Sequence, residues 1–346
     1  MNSPVLTIGI PTYNRPESIQ KTVRALLPQL NDKVVLKVYD NCSETPVADL
    51  FTEEEKQRFV ITRNKANIGG DANICGVVYH ADTKWVWTLG DDDGPLPNAI
   101  KTILDSIEKY PDALFFKYNS YIEKDLHSFK DLTELCKRHW IFGNFLYISS
   151  GVFNRDKLLD DIQYYYINLS SMVGQTIYIL KHLERKDEDS YFFKSKIVRH
   201  STGGLHNDED DVSEGVSWNA LTFIKRSSII FDVFHDKRKS LDSTLFAGIA
   251  QQYLGSLAGQ SLGLDQTWQG LRLTISQIGF VNLIKYNFNS LIKLIGKQLL
   301  ITCLPDSVYQ RIKIKMKNSI NKKLLEKETE RERGTTDATR TSIVFG

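Results

Sequence analysis

The sequence predicts an α/β protein with a mainly parallel central sheet flanked by helices and a helical C-terminal extension. Three observations carry this prediction. Up to about residue 110, strand-like apolar runs alternate with runs of helical period, an order that calls for crossover connections and a sheet covered on both faces. The unusual polar residues fall directly after the strand-like runs, at the carboxyl ends where such sheets gather ligands. Beyond Trp218 the strand alternation is lost and helical spacing takes over, with a domain boundary expected near Ser213 to Ser217.

Taken in order, "VLTIGI" reads as a buried strand and "PESIQKTVRALLPQL" as a helix whose apolar residues recur at helical spacing. "VVLKVYD" and "RFVITRN" read as the second and third strands, rich in β-branched residues. "GGDANICGVVYHA" places glycine ahead of a helical run, "KWVWTLG" is a fourth strand, and "PNAIKTILDSIEKY" is a further helix. The order is β-α-β-β-α-β-α. Loops "PTYNR", "DNCSE" and "GDDD", after the first, second and fourth strands, are therefore expected to meet at one edge.

Composition narrows the function classes. A chain of 346 residues with 41% hydrophobic content can bury one large domain plus an appendage. A net charge of +2 gives no general affinity for nucleic acid, so none is expected as a partner. Cys42, Cys75, Cys136 and Cys303 stand far apart with no CxxC pair, which fits neither a zinc site nor a disulfide framework and points to a reducing cytoplasm. No signal peptide is indicated and no apolar run has bilayer length, so an integral membrane protein is not expected. No internal repeat is visible.

In "VWTLGDDDGPLP", Asp91, Asp92 and Asp93 follow an apolar run directly. Acids ahead of a helix are favoured by its dipole, and a solvated turn would account for them. Three adjacent carboxylates fixed at a sheet edge nevertheless repel one another, and a hard divalent cation is the natural compensation. In a strand-like conformation Asp91 and Asp93 would share one side, so a single ion is not expected to take all three. Mg²⁺ or Mn²⁺ held by one or two carboxylates keeps open positions that phosphates fill.

The runs "LTIGIPTYNRPESIQKTVRALL", "VYDNCSE", "NKANIGGDANI" and "WVWTLGDDDGPLPNAI" together resemble the donor half of the family-2 glycosyltransferases, over about the first 115 residues. The "GGDAN", "LGDDD" and "SSGVFNRD" variants are most similar to bacterial O-antigen and capsule enzymes of the abequosyltransferase type. The resemblance implies the GT-A fold and a nucleotide-sugar donor. It implies that Thr12, Tyr13, Asn14 and Arg15 border the nucleotide, with Pro11 stiffening the turn, and that Asp40 accepts hydrogen bonds from the base. Asn67, Asp71 and Asn73 would line the ribose and diphosphate, with Gly69 and Gly70 allowing close backbone approach. Asp91, Asp92 and Asp93 become the metal ligands, Asp92 foremost, with Asp91 also reaching the ribose side.

Two positions depart from the family's pattern. Gly90 stands where the usual Asp-x-Asp-Asp motif begins, and Gly174 and Gln175 stand in "SSMVGQTIYILKHL" where many inverting members place the catalytic aspartate. A base is still required to deprotonate the acceptor hydroxyl. The remaining candidates are Asp161, next to Asp160 ahead of "YYY", and Asp208, in the acidic run Asp208 to Asp211 of a Gly-flanked loop. His206 in that loop is a further metal or phosphate candidate.

Residues 1–115 are thus expected to form the donor half, 116–214 the acceptor half, 215–325 a helical region and 326–346 a disordered tail. The acceptor half carries Tyr118, Tyr121, Trp140, Tyr147 and Tyr164 to Tyr166, which can stack on sugars or pack in a core. Val281, Ile284, Phe288, Leu291, Ile292, Ile295 and Leu299 recur at helical spacing beside Lys285, Lys293 and Lys297, and a basic run from Arg311 to Lys323 follows. This pattern fits a helix lying on an anionic membrane at the cytoplasmic face, a helix packed on the catalytic domain, or a homo-oligomer contact. The expected activity is metal-dependent inverting sugar transfer to a saccharide acceptor, polyprenyl-linked by the family resemblance. A nucleotidyltransferase, or an inactive GT-A-fold binding or scaffolding subunit, is the alternative.

Overall fold

The computed structural model describes residues 3–138, 141–199, 220–234, 243–259 and 264–303. Among the described residues ten strands are present: β1 (Leu6–Thr12), β2 (Val34–Asp40), β3 (Val60–Arg63), β4 (Trp85–Thr88), β5 (Gly94–Pro95), β6 (Phe115–Lys117), β7 (Lys124–Leu126), β8 (Gly151–Asn154), β9 (Ser190–Phe192) and β10 (Val198–Arg199). Eight of them form the central sheet in the order β3-β2-β1-β4-β8-β6-β9-β7. The first four run parallel, as the alternation of strands and helices requires. Beyond β4 the sheet changes direction: β8 is antiparallel to both β4 and β6, β6 is parallel to β9, and β7 is antiparallel to β9.

Register places the chemistry. Leu6 pairs with Val34 and Thr12 with Asp40, while Asp40 in turn pairs with Arg63, so three strand ends finish on one edge. β4 stops earlier, with Thr88 opposite Gly9, and Leu89 N donates to Gly9 O (3.0 Å) before the chain leaves the ladder. Asp91 to Asp93 accordingly lie in a turn, not on an extended strand. Gly94 and Pro95 then pair with Arg199 and Val198 in a separate two-stranded sheet.

The sheet is buried because both faces are covered. Helix Pro16–Leu26 turns Ile19, Val23 and Leu26 inward, and helix Ala99–Lys109 does the same with Ile100, Ile103 and Ile107. Each such side chain contributes about 1.5–3 kcal/mol on full burial. On the other face, helix Gly70–Tyr79 crosses so closely that a Cβ on Gly9 would lie 2.2 Å from Val77 Cγ1. A single helical turn, Glu53–Lys56, stands between β2 and β3 with a Thr52 and Glu55 capping box at its start.

Helices Ala220–Ser227, Ser243–Gly259 and Leu264–Ile278 belong to the same compact unit as the sheet, and that unit ends after Ser290. Helix Phe280–Cys303 begins after Gly279, whose φ of +80° breaks the preceding helix. The expected boundary near Ser213 to Ser217, the basic run from Arg311 to Lys323 and the tail lie outside the described residues.

Lys117, on β6, is wholly buried; its ammonium donates to Tyr147 O (2.7 Å), and burial pushes its pKa down to about 7. Between about pH 7 and the ordinary lysine value the unfolded chain holds the proton and the folded chain does not, so stability rises with pH through that window. Lys117→Met is expected to remove this rise, which amounts to a few kcal/mol at most, and urea melts from pH 7 to 10 measure it. Gly9→Ala is expected to destabilise by about 1–3 kcal/mol through the Val77 clash, and Val77→Ala to recover most of the loss in a double-mutant cycle.

Candidate functional site

The acid turn is held by hydroxyl groups from three separate segments. Thr12 Oγ1, at the end of β1, donates to Asp91 Oδ2 (2.6 Å). Thr22 Oγ1, on helix Pro16–Leu26, donates to Asp91 O (2.7 Å) and reaches Asp93 O (3.3 Å), fixing the backbone of the turn. Ser149 Oγ accepts from Gly90 N (2.9 Å) and donates to Asp93 Oδ2 (2.5 Å), while Ser149 O accepts from the Trp87 indole (2.8 Å). Arg15 Nη1 bridges Asp91 Oδ1 (3.2 Å) and Asp92 Oδ2 (3.3 Å).

The three acids differ in environment. Asp91 and Asp93 are buried, whereas the Asp92 side chain is 35% exposed. Burial pushes the Asp91 carboxyl up to about 6, against the opposing pull of the Arg15 charge and the Thr12 hydroxyl; the Asp92 charge adds to the rise. Tyr147 is raised far above its ordinary value by burial and by Asp93 and Asp92, so it remains a neutral phenol facing the turn. Gly90 now has a physical explanation. A Cβ there would lie 3.0 Å from both Asp92 Oδ1 and Asp93 Oδ2 and 3.3 Å from Ser149 Oγ, leaving no room for a further carboxylate.

Among the described residues no group of three or more His, Cys, Asp or Glu side chains is arranged to enclose a metal. The turn does suit the other mode, in which one or two carboxylates hold Mg²⁺ or Mn²⁺ and phosphate oxygens complete the shell. Asp92 offers the accessible carboxylate, and Asp91 Oδ1 shares its Arg15 partner.

Beside the turn lies a cleft of about 180 Å³ lined by Thr12, Asn14, Arg15, Ser43, Glu44 and Val47 among others. Asn14 adopts φ +52°; its N–H donates to Ser43 Oγ (3.0 Å) and its Oδ1 accepts from Glu44 N (2.8 Å), joining the loops after β1 and β2. Tyr13 is half-buried next to it. Pro11 lies within β1, opposite Tyr39, and not in the turn expected from the sequence.

Several residues assigned to the ligand are engaged by the protein. Asp40 is fully buried and accepts from Ser43 N (2.8 Å), Val47 N (3.3 Å) and Arg63, so its carboxylate is closed to a base. Burial opposes its ionisation, but these donors hold it below the ordinary carboxylate value. Asn73 donates to Tyr39 O (2.9 Å) and accepts from Asn64 (3.1 Å), again as scaffold. Asn67 is exposed and accepts from Asn41 Nδ2 (2.7 Å) and Gly69 N (2.9 Å). Of the two glycines, Gly69 is the one at positive φ, +87°. Asp71 is pushed up to about 6 by burial, with the Arg226 charge acting against it.

The base candidates separate as well. Asp161 is fully buried, paired with His182 Nδ1 (2.8 Å) and Arg185 Nη1 (2.8 Å), and is therefore removed from any acceptor. At Gly174 a Cβ would meet the Tyr165 ring at 2.7 Å, which excludes an aspartate there, and Gln175 turns to Leu146 O (3.4 Å). Asp208 and His206 lie outside the described residues; Arg199, which precedes that stretch, pairs with Gly94 next to the acid turn. Sequence reasoning missed Thr22 and Ser149, although both lie in quoted runs, Thr22 in "LTIGIPTYNRPESIQKTVRALL" and Ser149 in "SSGVFNRD".

Residues 7–162 match the model of glycosyl transferase family 2. The chain is similar to an uncharacterized glycosyltransferase of Methanocaldococcus jannaschii, 23% identical over 174 residues, covering 47% of this chain and 60% of that protein. It is also similar to abequosyltransferase RfbV of Salmonella typhimurium, 26% identical over 110 residues, covering 30% and 33% respectively. It thus spans less than two thirds of the length of these curated relatives. Among solved structures, S. aureus TarS 1–349 superposes with a TM-score of 0.58 at 12% identity, covering 85% of this chain and 89% of that one. The same TarS fragment in complex with UDP-GlcNAc gives 0.56 at 12% identity, with the same coverage. The shared fold is GT-A.

Gly90→Asp, which would restore the usual acidic motif, is expected to destabilise the protein by about 1–3 kcal/mol through crowding and like charge, read as a lowered Tm in EDTA. Ser149→Ala is expected to cost about 1–3 kcal/mol, because Gly90 N loses its acceptor and Asp93 a donor; chemical denaturation measures it.

Proposed function

We propose, from the premise that residues 7–162 are a family-2 glycosyltransferase domain, that the chain transfers a sugar with inversion from a nucleotide-sugar donor to a saccharide acceptor. The transfer depends on Mn²⁺ or Mg²⁺ and serves a bacterial surface polysaccharide, O-antigen or capsule. The observation that carries this reading is the acid turn at the carboxyl edge of the parallel strands, opening on a cleft that Thr12, Asn14 and Arg15 border. The similarity to abequosyltransferase RfbV supports the polysaccharide assignment.

In this reading Asp92, with Asp91, would hold the divalent cation, which would offset the charge on a departing diphosphate. Thr12 and Ser149 keep the flanking carboxylates aimed, so little reorganisation is needed when donor enters. Asn14 and Ser43 shape the nucleotide side, and Asp40 orders their loop from behind. The acceptor hydroxyl must lose its proton as it attacks the anomeric carbon. With Asp161 closed in its ion pairs, Asp208 is the carboxylate we assign to that step.

The acceptor is proposed to be polyprenyl-linked, with the protein docked on the cytoplasmic face of the membrane. Among the described residues no helix is long and apolar enough to cross a membrane. Phe280, Val281, Ile284 and Phe288 are nevertheless exposed in the first compact unit, as are Ile292, Ile295 and Leu299 in the second. A lipid surface of anionic character suits these apolar side chains and the lysines between them.

Purified protein is expected to release nucleoside diphosphate or monophosphate from one member of a nucleotide-sugar panel, dependent on metal and acceptor; pyrophosphate release would indicate a nucleotidyltransferase instead. Asp92→Ala is expected to lower this activity about a hundredfold or more, and wild-type rates would refute its role. Deletion of the chain after Ile278 is expected to reduce co-sedimentation with anionic vesicles, and undiminished binding would remove the last helix from the membrane assignment.

A further inference from the structure

With Asp40 closed to a nucleobase, the loop that it braces offers another carboxylate. Asp40 accepts from Ser43 N (2.8 Å) and Val47 N (3.3 Å), and Arg63 Nη2 donates to Ser43 O (2.7 Å). From the other side, Glu44 N donates to Asn14 Oδ1 (2.8 Å) and Asn14 N donates to Ser43 Oγ (3.0 Å). The backbone around Glu44 is thus fixed from two directions. Glu44 itself is exposed, lines the cleft beside the acid turn, and enters no ion pair among the described residues. A carboxylate carried on so braced a loop needs little reordering to meet a ligand.

The cleft suits one flat ring. Thr12 and Arg15, which line it, also contact Asp91, so it adjoins the proposed phosphate site. Its apolar lining comes from Ile19 and Val47, both buried, and from Leu50, whereas Glu44 and Thr45 are exposed and polar. Its volume of about 180 Å³ falls below the roughly 300–1,000 Å³ of sites that enclose a whole ligand. One part of a nucleotide is therefore taken in, and the apolar lining favours the base over the ribose or the phosphates.

An ionised carboxylate only accepts hydrogen bonds, and it can take two at once. Guanine presents N1–H and its 2-amino group side by side, a fork that matches both carboxylate oxygens as a guanidinium does. Uracil presents one N3–H between two carbonyl oxygens, and cytosine an amino group beside an accepting ring nitrogen, so each turns an acceptor toward the carboxylate. We infer that Glu44 reads the base of the donor and selects guanine, which makes the donor a guanosine-diphosphate sugar. The inference rests on the reading of the chain as a nucleotide-sugar transferase. Base selection then belongs to the loop after β2, with Asp40 acting on it from behind.

Calorimetric binding of guanosine, inosine, cytidine and uridine diphosphates to the full chain, each with Mn²⁺, tests this without turnover. Wild type is expected to bind guanosine diphosphate about tenfold or more tightly than the two pyrimidine nucleotides. Inosine diphosphate keeps N1–H but lacks the 2-amino group, and is expected to bind about tenfold more weakly than guanosine diphosphate, a comparison that needs no variant. Glu44→Gln, which replaces one accepting oxygen with a donating amide, is expected to lose about tenfold for guanosine diphosphate, to hold uridine diphosphate within about threefold of wild type, and to melt at the wild-type Tm without ligand. Equal affinity of wild type for guanosine and uridine diphosphates, tighter binding of a pyrimidine nucleotide, or an undiminished guanine preference in Glu44→Gln overturns the inference and leaves the transferase reading standing. Binding of none of the four overturns the donor reading, and this inference with it.

Discussion

Negative charge on consecutive residues is what the surrounding structure has to accommodate. Asp91, Asp92 and Asp93 are set in a turn whose backbone is fixed by Thr22 and whose side chains are met by Thr12, Ser149 and Arg15. Each partner comes from a segment that reaches the turn only because β1 and β4 are neighbours and β8 is laid antiparallel beside β4. The reversal of sheet direction at β8 brings the segment containing Ser149 up to the acid edge. The fold and the site are thus one problem, since the strand order that buries Trp85 and Trp87 also delivers a serine hydroxyl to Asp93.

The arrangement carries an intrinsic cost. Burial raises Asp91 to about 6, so at neutral pH a buried carboxylate is ionised against its environment. Functional sites accumulate such disfavoured charges, which a ligand of opposite sign relieves. A simpler apolar turn would give a more stable protein, with nothing to offer the cation and diphosphate of the proposed reaction.

The first four strands and their helices were legible in the sequence because their patterns are local. The apolar periods of "PESIQKTVRALL" and "PNAIKTILDSIEKY" need no tertiary information, and a parallel sheet follows from alternation. The strands of the second half were not legible, since β6, β7 and β9 are three residues each and draw their identity from their neighbours in the sheet. The acid turn was legible by composition. Its supporting shell was not, because Ser149 and Thr22 contact it across separations of 56 and 69 residues. Asp40 and Asn73 erred the other way. A carboxylate or carboxamide near a ligand edge reads alike whether it faces solvent or braces a loop, and only the donors found at Ser43, Val47, Arg63 and Asn64 distinguish the two.

Ser149 has a bearing on how such a protein can change over generations. It belongs to the half of the chain expected to meet the acceptor, yet its hydroxyl is committed to Asp93 and its carbonyl to Trp87. Under the proposed function, drift in the residues around it would disturb the acid turn, and with it the proposed phosphate site, before it altered the choice of sugar. If the chain acts as proposed, changes of acceptor preference are expected in segments that do not brace the acid turn, because Ser149 is tied to Asp93 and Trp87.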